Sequence, residues 1–411
     1  MPTKPIAIHI VSTLQKAGHI AYFAGGWVRD FLLNVPSDDI DIATSASVEE
    51  IQALFPKTIP VGIAFGIIVV VEKNHSFEVA TFRKEKDYID GRRPTQIEPA
   101  TPEEDALRRD FTVNGLFFDP ITETLLDFVE GQKDLKQGII RAIGDPHGRF
   151  LEDRLRMIRA VRYSTRFQFP IESATEQALL SHAASLFPSV AIERVWQEFQ
   201  KMSSSKHFAA GLVSLHKLEL LPVIFPSLKG VSLKEIQTRL EALSKISNCP
   251  LIAKLLFLFP NASLQEEFAL CDYLKLSRQD KDLVKFLNQA KSLLLLPLDW
   301  QISLEPFEWA HFYAHPFSDL GLRIHSLSQK DLFSFLQFHA EKKDSLSLHI
   351  LRIQTKSPLI KAEDLQKIGI VPGVQMGKLL KEAEKISING DLNDKEAVIK
   401  KLKSQFSLQI Q

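Results

Sequence analysis

Residues 22–44, YFAGGWVRDFLLNVPSDDIDIAT, constrain the fold of this chain more than any other stretch. The apolar run at residues 20–24 predicts a short buried strand. Gly25 and Gly26 follow, and the lack of a Cβ lets the backbone there turn tightly and approach a ligand closely. Apolar residues at helical spacing occupy residues 27–33, so the glycines lie at a strand-to-helix junction.

Charged side chains flank this junction in a pattern that suits a nucleotide. The N–H groups at a helix N-terminus attract phosphate oxygens, and Arg29 in the first turn adds a charged donor. Asp39 and Asp41 come next, and residues i and i+2 of a strand project from the same face. Two carboxylates that close together repel each other, which favours a role in holding divalent cations.

Each half of this pattern also has an ordinary explanation. A Gly-Gly pair is usually only a turn, and Asp-x-Asp is usually a solvated strand end. A phosphate-binding turn and a carboxylate pair on one strand–helix–strand unit together indicate nucleotidyl transfer.

The segments GGWVRD (residues 25–30) and DIDIAT (residues 39–44) resemble the first motif of the class II tRNA nucleotidyltransferases and bacterial poly(A) polymerases. This family lies within the polymerase-β-like superfamily. The resemblance implies an enzyme that adds CCA to the 3′ end of tRNA from CTP and ATP without a nucleic-acid template. It also implies two-metal phosphoryl transfer with Mg²⁺ held by Asp39 and Asp41.

Composition restricts the class of protein. The 411 residues include 50 basic and 50 acidic side chains, so a nucleic-acid surface has to be a local basic patch. The two cysteines, Cys249 and Cys271, exclude a disulfide framework and indicate a reducing compartment. The N-terminus does not have the form of a signal peptide, and no apolar run reaches the roughly 20 residues that span a bilayer. These features predict a cytoplasmic protein without membrane contact.

A second motif, RRDFTVNG, occupies residues 108–115. Arg109, Asp110 and Asn114 offer a donor, an acceptor and an amide near one spot, although Arg-Arg-Asp is also common on salt-bridged helices. The segment resembles the family's RRDFTIN motif. The resemblance assigns Arg109 to the nucleotide phosphates and Asp110 to the ribose.

Two β-branched and aromatic runs, residues 67–72 and 76–82, predict a hairpin, and Glu78 on its second strand is a candidate third catalytic carboxylate. Residues 83–104 then contain eleven charged residues and three prolines, which predicts a mobile loop. The loop is either an ordinary connection or a segment that completes the site on closure. In the family this interval is associated with addition of the terminal A.

Residues 151–167, LEDRLRMIRAVRYSTRF, predict one amphipathic helix with a polar stripe that a solvated surface would also explain. Asp153 offers acceptors and Arg156 a planar fork of donors, which together can read the Watson–Crick edge of C or A and mismatch G and U. The segment from Glu152 to Arg156 resembles the family's base-selecting EDxxR motif. Arg159 and Arg162 match family positions near the triphosphate.

The predicted fold class is α+β, with a mixed-sheet nucleotidyltransferase head followed by an all-α remainder. Residues 139–143 predict a last strand of the head, residues 143–150 resemble the family's third motif, and residues 189–202 predict a scaffold helix. The tail is rich in lysine and is a candidate tRNA contact. The predicted domains are a head (1–145), a neck that selects the base (146–205), a body (206–355) and a tail (356–411).

Three alternatives stay open at the level of sequence. The first is a poly(A) polymerase on the same scaffold, because residues 91–93, GRR, partly resemble that subgroup. The second is an enzyme that adds only A or only CC. The third, from another class, is an inactive RNA-binding scaffold, which the intact acids and arginines disfavour.

Overall fold

The computed structural model describes residues 3–62, 65–88, 94–246 and 248–406. The chain divides into two compact units, Met1–Ser244 and Lys245–Gln411. The first contains the β-sheet and the helices that follow it, and the second is helical. The predicted α+β class is confirmed, whereas the predicted domain boundaries stay predictions.

The strands of the first unit belong to one seven-stranded sheet and one two-stranded ribbon among the described residues. They are β1 (Ala21–Ala24), β2 (Asp41–Thr44), β3 (Thr58–Gly62), β4 (Ile67–Glu72), β5 (His75–Thr81), β6 (Arg83–Tyr88), β7 (Pro94–Pro99), β8 (Phe117–Asp119) and β9 (Thr124–Leu126). The sheet order is β3-β4-β5-β2-β1-β8-β9, in which β2 and β5 are parallel and the other pairs antiparallel. The register sets Asp41 opposite Ala24. Asp41 therefore lies beside the end of β1, the strand that leads into Gly25 and Gly26.

The helices in this part of the chain alternate with single strands or groups of strands. They are α1 (Thr3–Lys16), α2 (Gly26–Leu32), α3 (Val48–Leu54), α4 (Pro102–Leu107) and α5 (Gly131–Gln137). At α3 the Ser47 hydroxyl accepts from the Glu50 N–H, and the Glu50 carboxylate accepts from the Ser47 N–H, which forms a capping box. Thr101 and Glu104 form the same arrangement at α4.

The predicted mobile loop at residues 83–104 is wrong for the part that the structure describes. Strands β6 and β7 pair antiparallel, and α4 follows directly. The register sets Lys84 opposite Glu98, so opposite charges face each other across the ribbon. A charged sequence therefore forms strands here because backbone pairing does not require an apolar face. Residues 89–93, which include the GRR segment, lie outside the described residues.

Two further predictions need correction. Residues 139–143 form isolated bridges, Ile140 with Ile171 and Ala142 with Phe111, and no regular strand. Residues 151–167 form two helices, α6 (Pro146–Glu152) and α7 (Leu155–Phe167), with Asp153 in an extended conformation between them. The Asp153 carboxylate accepts from the Leu155 N–H at 3.1 Å, a local side-chain bond that competes with continuous helix.

The first unit continues as helices that follow α7 in the chain. They are α8 (Ser173–His182), α9 (Ile192–Ser203), α10 (Phe208–Lys217), α11 (Leu220–Ile224) and α12 (Leu233–Leu240). Helices α9 and α10 contact α7 directly, against its buried residues Met157, Ile158 and Val161. This packing fixes α7 as one wall of the site described below.

The second unit consists of short helices with prolines at several of their starts. They are α13 (Leu251–Leu255), α14 (Leu264–Tyr273), α15 (Arg278–Leu294), α16 (Leu298–Ser303), α17 (Pro306–Ala314), α18 (Ser318–Ser326), α19 (Leu332–Ser345), α20 (Ser347–Gln354), α21 (Ala362–Gln366), α22 (Val374–Asn389) and α23 (Lys395–Phe406). The last three share an apolar cluster centred on Leu365, Leu379 and Leu402. Among the described residues, none of the helices has the length and apolarity needed to cross a bilayer.

Candidate active site

A cavity of about 960 Å³ in the first unit collects the predicted site residues in one place. Its lining includes Gly25, Gly26, Arg29, Asp39, Asp41, Glu78, Arg109, Asp110, Asp153, Arg156, Arg159 and Arg162. The sheet supplies the glycines and the acids, and the segment from α6 to α7 supplies the last four. The structure shows that these residues line the same cavity. Their individual roles stay predictions.

The glycine turn approaches an arginine closely. Gly25 has φ of 61°, in the region that favours glycine, and its N–H donates to the Leu116 carbonyl at 3.1 Å. A Cβ added at Gly25 would lie 2.9 Å from Arg109 Nη1, closer than such atoms approach in proteins. The absence of a side chain at Gly25 therefore makes room for the Arg109 guanidinium beside the start of α2.

The acidic residues lie across the cavity on neighbouring strands. Asp41 is the first residue of β2, Asp39 lies just before that strand, and Glu78 is on β5. Burial, together with the charges of Asp39 and Glu78, raises the pKa of Asp41 to about 6, and the charge of Arg109 opposes this increase. Within the described ranges, no three acidic, histidine or cysteine side chains form a ready metal-binding group.

A divalent cation fits this acidic pair on chemical grounds. Carboxylate oxygens are the ligands that Mg²⁺ prefers, and Mg²⁺ usually takes one or two carboxylates together with substrate phosphates. Asp41 has its pKa raised mainly by burial and in addition by the negative charges of Asp39 and Glu78, which a bound cation would offset. Asp39 and Asp41 are therefore the side chains that could hold the metal, with Glu78 beside them.

Arg29 is buried and held in a fixed orientation. Its Nη1 donates to Asn114 Oδ1 at 2.5 Å, and its Nε and Nη2 donate to Asp30 Oδ1 at 2.9 and 2.7 Å. The guanidinium also lies over the rings of Tyr163 and Phe167. These contacts connect α2 to α7 and direct part of the Arg29 side chain to the cavity wall.

Asp110 is the centre of a second charged group. Its Oδ2 accepts from Arg159 Nε at 2.8 Å, and its Oδ1 accepts from Asn114 Nδ2 at 2.9 Å. Burial alone would raise the pKa of Asp110, but the charge of Arg159, the bonds from Asn114 and Arg159 and the charge of Arg156 lower it to about 2. Asp110 is therefore ionised at neutral pH and fixes Arg159 at the cavity.

The two predicted base-selecting residues have separate partners in the structure. The Asp153 carboxylate accepts from Arg194 on α9, at 3.1 Å from Nη2 and 3.3 Å from Nη1. Arg156 donates from Nη1 to Glu152 Oε2 at 2.6 Å and to the Arg149 carbonyl at 3.0 Å. Asp153 thus lies in the break between α6 and α7, Arg156 lies in the first turn of α7, and each is oriented by its own contacts.

Several cationic side chains in the lining were absent from the sequence prediction. They are Arg83, Arg108, Arg166, Arg194 and Lys201. Arg194 was assigned to a scaffold helix, although Glu193 and Arg194 resemble a further family motif and this was the available signal. On the same helix, Glu198 is buried and accepts from Arg162 Nε at 2.5 Å.

Comparisons with known proteins agree with this geometry. The poly A polymerase head domain model matches residues 21–141, and the model described as probable RNA and SrmB-binding site of polymerase A matches residues 168–231. The chain is 40% identical to the CCA-adding enzyme of Anoxybacillus flavithermus over 60% of its own length and 59% of that protein's. This alignment therefore spans less than two thirds of that relative.

Two other comparisons extend over nearly the whole chain. The chain is 31% identical to the CCA-adding enzyme of Ligilactobacillus salivarius over 97% of its own length and 95% of that protein's. The structure of the Bacillus stearothermophilus CCA-adding enzyme in complex with CTP matches with a TM-score of 0.73 and 27% identity, covering 99% of each chain. With a cavity that gathers the family's motifs and a match over almost all of its length, the chain belongs to the family of CCA-adding enzymes, the tRNA nucleotidyltransferases.

Proposed function

We propose that this protein adds CCA to the 3′ end of tRNA from CTP and ATP, without a nucleic-acid template, and releases pyrophosphate. The observation that carries the proposal is the single cavity that combines an acidic pair, a glycine turn with arginines and a base-selecting pair. The family membership and the similarity to an enzyme solved with CTP support it.

Nucleotidyltransferases of this kind generally depend on a metal, and we propose Mg²⁺ at Asp39 and Asp41. Glu78 is the candidate third carboxylate, from the neighbouring strand β5. Asp39 and Asp41 would hold the divalent cations, whose chemistry when bound would be to lower the pKa of the primer 3′-hydroxyl and to neutralise charge on the pyrophosphate. The carboxylates of the chain orient the reacting groups for in-line attack on the α-phosphate.

The triphosphate is proposed to lie against the glycine turn. Gly25 would let the triphosphate approach the backbone closely, and the N–H group of Gly26, together with Arg29 and Arg109, would bind its oxygens. Arg159 and Arg162 stand on the α7 wall of the same cavity. Asp110 would act on the ribose side, through a carboxylate that already holds Arg159 in place.

The base is proposed to meet Asp153 and Arg156. A carboxylate has about four lone-pair sites, so the bonds from Arg194 leave acceptor capacity on Asp153. Arg156 is held before a nucleotide arrives, which reduces the entropy lost when a base binds. This pair supports choice of C and A over G and U.

The remaining proposals concern the partner molecule and the cellular compartment. The lysine-rich tail, residues 356–411, is proposed to contact tRNA, although Lys385 and Lys395 already pair with Glu305 and Asp364. We place the reaction in the cytoplasm, where buried thiols such as Cys249 stay reduced.

One incorporation experiment tests this function against its alternatives. The protein is incubated with MgCl₂ and labelled CTP or ATP, together with tRNAs that end before C, after C and after CC. An unstructured RNA serves as the fourth acceptor. Two additions of C followed by one A and a stop are expected on the tRNAs.

Each alternative predicts a different product. Long A tails on the unstructured RNA would identify a poly(A) polymerase, which the match to a poly A polymerase head domain keeps as the second candidate. Addition of A alone, or of CC alone, would identify a partial enzyme. No incorporation on any acceptor would identify an inactive RNA-binding scaffold.

A further inference from the structure

A buried carboxylate outside the cavity holds two of the arginines that line it. Asp105, on α4, is 1% exposed and does not belong to the cavity lining. Its Oδ1 accepts from Arg108 Nε and Nη2 at 2.9 and 2.6 Å, and its Oδ2 accepts from Arg109 Nε and Nη2 at 3.1 and 2.9 Å. Each guanidinium therefore donates two N–H groups to one carboxylate oxygen, and these charge-assisted bonds restrict its orientation.

The charges of these three groups do not cancel. One carboxylate faces two guanidinium groups, so the cluster keeps a net positive charge that faces the cavity. Burial would raise the pKa of Asp105, but the charges of Arg109 and Arg108 and their hydrogen bonds lower it, and the carboxylate stays ionised. The backbone N–H of Arg83, where strand β6 begins, also donates to Asp105 Oδ1 at 3.3 Å.

The orientation of Arg109 matters because of what lies next to it. Its Nη1 donates to the Asn114 carbonyl at 3.3 Å and lies 2.9 Å from the position that a Cβ of Gly25 would take. The guanidinium also lies over the Phe117 ring. Asp105 thus holds the Nε–Nη2 edge of Arg109 and leaves the Nη1 end toward the glycine turn.

We propose that Asp105 is a positioning residue for triphosphate binding, which acts by fixing Arg109 and Arg108 with their donors directed into the cavity. The proposal rests on the proposed function, because it takes the ligand to be a nucleoside triphosphate. It predicts that Asp105 controls affinity for the phosphates and not for the base. A carboxylate with a merely structural role would affect folding without this selectivity.

The test is equilibrium binding to the full chain with Asp105→Asn and a matched control, Asp134→Asn. Asp134 is also 1% exposed, lies in the same unit, pairs with Arg141 at 3.0 Å and accepts from Thr112 Oγ1 at 2.7 Å. It is not part of the cavity lining. CTP, ATP and inorganic triphosphate are titrated in MgCl₂ by calorimetry, and folding is followed by thermal unfolding.

The expected result is a loss of about tenfold in affinity for all three ligands in Asp105→Asn, the size expected for one weakened charge-assisted contact. Asp134→Asn is expected to bind all three as the wild type does. A combined Asp105→Asn, Arg109→Lys protein is expected to lose less than the product of the two single losses, because Asp105 acts through Arg109.

Other outcomes contradict the inference. Folded Asp105→Asn that binds inorganic triphosphate as the wild type does would overturn it, and so would equal losses in both Asn variants. If Asp105→Asn does not fold, Asp105→Glu replaces it, because this variant keeps the charge and moves the carboxylate. Unchanged triphosphate binding by Asp105→Glu would overturn the inference.

The inference and the proposed function fail separately. Triphosphate binding that depends on Asp105 in a protein without CCA addition would support the first and contradict the second. Wild-type protein that binds neither nucleotide nor triphosphate would contradict both.

Discussion

Gly25 and Arg109 show how a single missing side chain can determine the shape of a binding site. The guanidinium of Arg109 occupies the space that any side chain at Gly25 would take. The positive φ of Gly25 adds a second reason for glycine, because other residues adopt that conformation only with strain. Both constraints act at the point where the triphosphate is proposed to bind.

Gly25→Ala tests this arrangement. The new methyl group has to displace Arg109, and misplacement of a substrate-binding group by about 1 Å can lower activity by roughly 100-fold. We expect a fall of that size in kcat/KM for CTP, measured by incorporation into tRNA. Gly18→Ala is the control, since Gly18 also has positive φ but no atom lies within 4 Å of its Cβ position. Equal effects of the two substitutions would mean that backbone strain alone is responsible.

Asp153→Ala tests the choice of base. Loss of the carboxylate acceptor is expected to reduce discrimination between CTP and UTP by roughly 10- to 100-fold, since a two-pronged base contact is worth about 1–3 kcal/mol. The measurement is the ratio of kcat/KM for the two nucleotides. Asp145→Ala removes another carboxylate of the same segment, which caps α6 and does not line the cavity, and should leave that ratio unchanged. An unchanged ratio in Asp153→Ala would contradict the assignment.

Individual site residues were predictable from sequence where a short motif contains them. The positions of Gly25, Asp41 and Arg109 in one cavity agree with expectations from local patterns. The partners that orient them were not predictable. Arg194 meets Asp153 only because α9 packs against α7, and the isolated sequence around Arg194 resembles any amphipathic helix.

At the scale of elements, the errors have a common physical origin. The helix break at Asp153 and the β6–β7 ribbon both depend on hydrogen bonds that hydrophobic periodicity does not reveal. The capping boxes at Ser47 and Thr101 involve residues only three positions apart, so a helix start of this kind can be recognised from sequence.

A buried histidine gives an element-scale prediction for the second unit. His339 on α19 bonds to the Tyr313 hydroxyl at 2.8 Å and to Gln301 Oε1 at 3.2 Å. Burial lowers the pKa of His339 to about 4, compared with about 6.5 in an unfolded chain. The neutral form stabilises the fold above pH 6.5, and this stabilisation is lost as the pH falls toward 4 because the unfolded chain binds the proton first.

Urea unfolding of the full chain at pH 7.5 and pH 5 measures this effect. The loss of stability between these two pH values should be smaller in His339→Gln than in the wild type by about 2 kcal/mol. The same loss in both proteins would show that His339 does not titrate in this way.

At the scale of the whole molecule, the cavity draws its residues from strands and helices far apart in the sequence. The order β5-β2-β1 sets Glu78, Asp41 and the glycine turn side by side, and the α6–α7 segment closes the opposite wall. The family and the α+β class could be predicted from the motifs, and both are confirmed. The sheet order could not, because it depends on pairing between strands that no local pattern specifies.

The acidic pair beside the glycine turn, Asp39 and Asp41, is proposed to support nucleotidyl transfer. Its most direct test is single-turnover addition of CMP to tRNA by Asp41→Ala, with Asp38→Ala as the matched control. Asp38 lies in the same segment, bonds to Thr3 and is not part of the cavity lining. Loss of a metal-binding carboxylate is expected to slow the reaction by at least roughly 1,000-fold, while Asp38→Ala stays near the wild-type rate. A folded Asp41→Ala protein that adds CMP at the wild-type rate would contradict the proposed role of Asp41 in catalysis.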